Sequence, residues 1–329
     1  MNLVNEMGKV RLGIFKEALD AVNYEDYTQE TPLGLKVPGF LKKLAPNQFH
    51  FFGLLGHRFV MGMAIVDLKY LSNVFFYAYD RDAREMKEVK KTLVGNSRVS
   101  IAPRPERPES VSRVRGLGMK LTDTSVEVLT EDMRLNLDID ISGTEPLRIC
   151  TKSGYRGWTY TQKTAPLAVD GKFFLGDTEY EIKSNDYLGL YDWTCGYMRR
   201  DTYWNWAATA SVLPDGRLFG MNLSQGVNET SFTENAFWVD GEMTKVDTVF
   251  FDFDYENMFD KWHITSFDGK VDLEFSPETK RSEKINAIFV ASRFSQFVGK
   301  FDGRLRTASG NEIDLKGCPG YAEDHFARW

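Results

Sequence analysis

ASVLPDGRLFGMNLS, residues 210–224, places an Asp-Gly pair between two runs that read as β-strands. Asp-Gly supplies the positive-φ backbone of a tight hairpin turn, so the two runs predict neighbouring antiparallel strands. The pair recurs at 170–171, 240–241, 268–269 and 302–303, in AVDGKFF, WVDGEM, SFDGKVDL and KFDGRL. Together these signals predict an antiparallel meander from Thr164 to the C-terminus, an up-and-down barrel or a related sheet.

The N-terminal half is also β-rich, with looser punctuation. Residues 48–80 read as three strands broken near Gly56 and at Leu71-Ser72-Asn73. Residues 125–142 give two more, where Leu135, Leu137, Ile139 and Ile141 alternate with Asn136, Asp138 and Asp140. Asp82 to Leu93 has helix-forming composition and reads as helix or loop. Pro103, Pro105 and Pro108 make 102–113 an exposed connection. The expected class is all-β: two antiparallel β-barrels or sandwiches in tandem, with few short helices. Residues 1–163 form the first unit and 164–329 the second.

The 329-residue length allows two domains, and 42% hydrophobic with 27% charged residues is ordinary globular composition. Aromatic content of 14% suits pleated sheets, where flat side chains pack well. A net charge of −6 argues against nucleic acid as the main partner, because phosphate contacts need a basic surface. Cys150, Cys195 and Cys318 are odd in number and far apart, which fits free thiols in a reducing compartment and no metal-ligand spacing. No apolar run reads as a signal peptide or a membrane span, so the expected location is cytoplasmic.

No phosphate-cradling glycine loop, His-Glu-x-x-His, Cys-x-x-Cys or Gly-x-Ser-x-Gly is present. Asp252-Phe253-Asp254 superficially suggests a calcium loop, but the sixth position lacks glycine and His263 stands where the bidentate acid belongs. The expectation is no metal and no cofactor.

YMRRDTYWNWAATAS, residues 197–211, alternates like a strand, yet neither face is plainly core or plainly solvent. Arg200, Trp204 and Trp206 share one face, and Arg199, Asp201, Tyr203 and Asn205 the other. The return strand carries Asn222 and leads through Gln225 to Asn228, Glu229, Glu234, Asn235 and Trp238. One reading is the solvent side of an antiparallel sheet. The other is a polar cavity walled by aromatics, since small residues beside large rings leave volume. TYTQKTAPL, residues 159–167, adds Tyr160, Gln162 and Lys163 at the seam between the halves.

These same stretches, with WHITSFDGKVDLEFSP, ASRFSQFVGKFDG and the ending GYAEDHFARW, resemble a bacterial domain-of-unknown-function family. That family is similar to the lipocalin-like, calycin-type group that includes carotenoid hydratase. The resemblance implies a pair of lipocalin-like barrels or sandwiches, with any site at their interface or in the C-terminal barrel. It also implies cofactor-free chemistry on apolar molecules, such as hydration, cyclisation or isomerisation.

Residue by residue, Glu229 is the expected general acid or base, or else an ion-pair partner of Arg199 or Arg200. Arg200 and Arg199 anchor an anionic ligand end, or join a scaffold network with Asp192, Asp201 and Glu234. Tyr160 donates a proton, or sits satisfied in a core. Trp204, Trp206 and Trp238 wall an apolar ligand, beside Gln162, Lys163, Tyr203, Asn222, Gln225, Asn228 and Asn235. Glu323, Asp324 and His325 tie down the last residues. The expected function is a cofactor-independent hydratase, isomerase or cyclase acting on a small hydrophobic or amphipathic ligand. The alternative is a lipocalin-like carrier that holds the ligand without turnover.

Overall fold

A computed structural model of the chain describes residues 1–227, 232–287 and 290–329. Strand makes up 63% of it and helix 3%. The two short helices are a 3₁₀ turn at Tyr24–Asp26 and an α-helix at Gly39–Leu44. The strands form two curled antiparallel half-barrel sheets, consistent with two tandem barrels.

The two sheets are built to one plan. In the first, the strands Asn47–Gly56, Phe59–Asp67, Leu71–Asp80 and Glu85–Val94 make a meander. The unit's last strand, Tyr187–Tyr197, returns to pair with the first of these. Beyond it lie Gly157–Leu175, Met133–Asp140 and Ser125–Leu129 in turn. In the second sheet, Asp201–Val212, Leu218–Gln225, Ala236–Val239 and Glu242–Lys245 make the meander. Glu312–Arg328 returns to pair with Asp201–Val212, followed by Val290–Arg306, Val271–Ala287 and Trp262–Ser266. The division expected at Lys163/Thr164 falls inside Gly157–Leu175, a strand of the first sheet. The chain passes from the first sheet to the second between Tyr197 and Asp201.

Three of the Asp-Gly pairs make turns, at 215–216, 240–241 and 268–269. The other two do not. Asp170-Gly171 and Asp302-Gly303 lie inside the long strands Gly157–Leu175 and Val290–Arg306, which hold equivalent places in the two sheets. Gly171 pairs with Leu137, and Gly303 with Leu273. A Cβ at Gly171 would stand 2.1 Å from the Asn136 carbonyl oxygen, and one at Gly303 2.4 Å from that of Asp272. Glycine is needed there because a neighbouring backbone comes close, not because the chain reverses.

The strands expected within 48–80 and 125–142 are present. Met133–Asp140 alternates strictly between buried and exposed, with Leu135, Leu137 and Ile139 inside and Ile141 just beyond its end. Asp82 to Leu93 is not helix: residues 82–84 are a turn and Glu85–Val94 is an edge strand. Its charges are suited to an edge, since they oppose pairing with another chain, and Glu88 and Lys90 pair with Arg281 and Glu283 of the second sheet. Residues 102–113 are not wholly an exposed connection either, because Glu109–Val114 is a strand. Its inward residues include Ser110 and Ser112, which bond to His50 Nδ1 and the Leu117 carbonyl, so no apolar alternation marks it.

Each sheet encloses its own apolar cluster, around Trp158, Phe173 and Trp193 in the first and Phe219, Trp262 and Phe275 in the second. A third cluster joins them, with Phe51, Tyr77 and Leu190 from one sheet against Trp206, Trp238 and Tyr321 from the other. Trp206 stacks on Tyr321 at 6.0 Å, and Phe51 meets both edge-on at 5.6 and 5.8 Å. Tyr321 donates its hydroxyl to the Met61 carbonyl at 2.5 Å, and Trp238 Nε1 donates to the Glu145 carbonyl at 2.7 Å.

Candidate functional site between the sheets

Where the sheets face each other they leave a cavity of about 220 Å³. Strand register explains its lining, because residues directly opposite on paired strands share a face. In the first sheet one such row runs Phe75, Ala64, Phe51, Asp192, Lys163. In the second, the matching row runs Trp206, Glu323, Gln296, Arg281. Two positions along, a parallel row runs Trp204, His325, Phe294, Glu283. All these side chains line the cavity. The equivalent strand pairs of the two sheets therefore contribute Lys163 with Asp192 on one side and Gln296 with Glu323 on the other.

The first polar group is an ion-pair triad. Lys163 Nζ contacts the Asp192 carboxylate and lies 3.6 Å from Glu234 Oε1. Burial by itself would lower the Lys163 amine, but the two carboxylates outweigh it and hold the pKa above the ordinary value. Asp192 also accepts from Thr194 at 2.9 Å.

The second group is carboxylate and imidazole. Glu323 accepts from Trp204 Nε1 at 2.8 Å and from Gln296 Nε2 at 3.1 Å. Gln296 is held in turn by the Tyr77 hydroxyl at 2.8 Å. Both carboxylate oxygens are thus held by neutral donors. His325 Nδ1 lies 3.7 Å from Glu323 Oε1, and His325 Nε2 is 3.0 Å from Ser292 Oγ. Nδ1 is buried and has no hydrogen-bond partner among the described residues. The imidazole packs 4.2 Å from the Trp204 ring and 5.0 Å from Phe294.

The residues singled out from sequence divide sharply. Lys163, Trp204, Trp206 and Glu234 line the cavity. Tyr160 and Gln162 lie on the opposite face of their strand. There the Tyr160 hydroxyl, raised well above its ordinary pKa by burial, donates to Gln162 Oε1 at 3.1 Å, and Gln162 Nε2 donates to the Tyr191 hydroxyl. Arg200, Asp201 and Tyr203 are exposed. Arg200 Nη1 donates to the Trp329 carbonyl, and Asp201 accepts both Nε and Nη2 of Arg328, so this pair of residues holds the C-terminus. Arg199 is half-buried, and its backbone amide donates to Ser153 Oγ. Asn222 accepts from Trp206 Nε1, Asn235 accepts from the Ser224 amide, and Gln225 accepts from the Phe251 amide. Trp238 is in the inter-sheet cluster. Glu229 and Asn228 lie outside the described residues.

Sequence reasoning named Asp192 only as a scaffold partner of the arginines, and it missed Arg281 and the cavity role of Glu323 and His325. Each sits on a strand that reads as amphipathic, and only its cross-strand neighbours place it beside the others. Among the described residues no group of three or more His, Cys, Asp or Glu side chains is placed to hold a metal ion. No helix among them is long and apolar enough to cross a membrane.

Two curled antiparallel half-barrel sheets in one chain make a lipocalin-like fold of the tandem kind. The chain belongs to the family described as domain of unknown function DUF2804, whose model matches residues 1–329. Its fold is similar to that of kievitone hydratase from Nectria haematococca, with TM-score 0.53 and 10% identity over 85% of this chain and 88% of that one. It is likewise similar to CghA, solved with Sch210972, with TM-score 0.54 and 12% identity over the same shares of the two chains. No curated protein sequence matches the chain.

Proposed function

We propose that this protein is a cofactor-independent acid–base enzyme of the hydratase, isomerase or cyclase type, acting on a small hydrophobic molecule held between the sheets. The observation that carries the reading is the buried, unpartnered Nδ1 of His325, lining an aromatic cavity beside the Glu323 carboxylate. In this reading His325 Nδ1 exchanges a proton with the ligand. Glu323, 3.7 Å from that same nitrogen, stabilises the imidazolium that forms by its charge. Ser292 and the Trp204 ring hold the imidazole in place. The volume supports a ligand of one or two rings, since an apolar cavity of about 150 Å³ accepts benzene. The buried state of Cys150, Cys195 and Cys318, all free thiols, supports a reducing, cytoplasmic setting.

The test begins with native mass spectrometry of protein purified from its host, to recover the retained molecule. That molecule is then incubated with the protein in deuterated water. An acid–base enzyme incorporates deuterium into it or converts it, and His325→Gln stops this while the molecule stays bound. A wild-type protein that retains the molecule and exchanges no proton is a carrier, and the enzymatic reading is then wrong.

A further inference from the structure

Among the described residues of the cavity lining, Arg281 is a buried cation, 5% exposed, that neither the ion-pair triad nor the imidazole–carboxylate pair uses. Its Nε and Nη2 both donate to a single oxygen, Glu88 Oε1, at 3.0 and 2.6 Å. Its Nη1 is buried and has no hydrogen-bond partner among the described residues. Aromatic rings surround the guanidinium, with Phe75 at 3.9 Å and Phe294 at 5.0 Å from its central carbon. Both rings line the cavity.

A guanidinium carries five donors in a planar fork, and a buried one left partly unbonded is costly. The unmet capacity here is donor capacity. The described carboxylates of the lining that face this site each have a partner: Glu323 in Trp204 and Gln296, Asp192 in Lys163 and Thr194, Glu234 in Lys163, and Glu283 in Lys90. Each of these carboxylates already has a donor, whereas Arg281 Nη1 has no partner among the described residues, so an oxyanion would complete the Arg281 fork.

We propose that Arg281 is a binding residue for the carboxylate end of an apolar, ring-sized ligand, received on Nη1 while the ring lies among Phe75, Phe294 and Trp206. The inference rests on the cavity being the ligand site, and it adds the chemical class of the ligand's polar end. Arg281, Gln296 and Glu323 stand directly opposite one another on successive strands, so Arg281 and Glu323 are two strand spacings apart, on the order of 10 Å between backbones. Phe294 touches both Arg281 and His325. A carboxylate on Arg281 therefore leaves the far end of a one- or two-ring ligand beside the imidazole.

Naphthalene-2-carboxylate and naphthalene are the probes, titrated against the full chain by quenching of tryptophan fluorescence. Wild-type protein is expected to bind the carboxylate about tenfold or more tighter than the hydrocarbon. Arg281→Met combined with Glu88→Gln, which removes the carboxylate that Arg281 pairs with, is expected to erase that preference and keep the naphthalene affinity. Arg281→Lys, which keeps charge but loses the fork, is expected to reduce the preference several-fold, and it serves as the second test should the double variant fail to fold. A wild-type protein that binds naphthalene with no preference for the carboxylate overturns the Arg281 assignment alone. So does a preference that survives in the double variant or is unchanged in Arg281→Lys. Wild-type protein that binds neither probe overturns the cavity as ligand site, and this inference with it.

Discussion

Lys163 Nζ stands 3.6 Å from Glu234 Oε1, joining the strand Gly157–Leu175 of the first sheet to the segment that enters Ala236–Val239 of the second. Both side chains are 6% exposed. Breaking a buried pair by removing one partner leaves an uncompensated charge, and here it would leave two, on Asp192 and Glu234. Lys163→Met is expected to lower stability by about 3–5 kcal/mol at pH 7, measured by urea unfolding. The Lys163 amine is held above its ordinary pKa, so its contribution is complete below about pH 10.5 and is lost as pH rises past the folded-state value. The gap between wild type and Lys163→Met should therefore close at strongly alkaline pH, and a gap independent of pH would contradict the ion-pair account.

His50 gives the opposite pH signature. Burial lowers its pKa to about 4, against the pull of Asp192, and its Nδ1 is bonded to Ser110 Oγ at 2.8 Å. The unfolded chain takes up a proton near pH 6.5 that the folded one refuses until about pH 4, so the folded state loses stability as pH falls through that interval. The loss should approach about 3 kcal/mol. His50→Gln should remove that part of the acid sensitivity, read from unfolding curves at pH 7 and pH 4.5.

Tyr321 pins the sheets from within the interface. It is fully buried, stacks on Trp206, and donates its hydroxyl to the Met61 carbonyl across the interface. Tyr321→Phe keeps the ring and leaves that carbonyl without its donor, so a loss of about 1–3 kcal/mol is expected. A change below about 0.5 kcal/mol would show that water replaces the hydroxyl.

Gly171 and Gly303 should behave alike, because they hold equivalent places in the two sheets. A Cβ at either meets a backbone carbonyl of the adjacent strand well inside contact distance. Gly171→Ala and Gly303→Ala are each expected to cost about 1–3 kcal/mol or more, measured as a fall in melting temperature. Gly216→Ala, with no atom within 4 Å of the new Cβ, meets no such obstacle and carries only the strain of its φ of +87°.

Glu323→Gln separates catalysis from binding. The amide keeps the shape and accepts from Trp204 through its carbonyl, but it cannot stabilise an imidazolium at His325. Proton exchange on the retained ligand is expected to slow by about 10²–10⁴-fold with ligand retention unchanged. An unaltered exchange rate would remove Glu323 from the chemistry.

Local pattern carried the strands a long way. Met133–Asp140 announces itself by period-two alternation, and Asp-Gly at 215–216, 240–241 and 268–269 makes the turns it promises. Both signals act within a few residues, where steric preference for positive φ and the two faces of a pleat decide the outcome. The same dipeptide at 170–171 and 302–303 follows a different demand, the approach of Leu137 and Leu273 on neighbouring strands, which nothing local encodes. Alternation likewise gave YMRRDTYWNWAATAS two faces without telling what either face meets. Packing settled that: Trp204 and Trp206 turn toward the other sheet and the cavity, while Arg200 and Asp201 hold the C-terminus at the surface. The cavity itself joins Lys163, Asp192, Arg281, Glu323 and His325, residues far apart in the chain. Signals of this short range were enough for an all-β chain of hairpins and amphipathic strands. Which polar residues share a face came from long-range folding, because it depends on the register of strands paired across long stretches of chain and on how two finished sheets pack together.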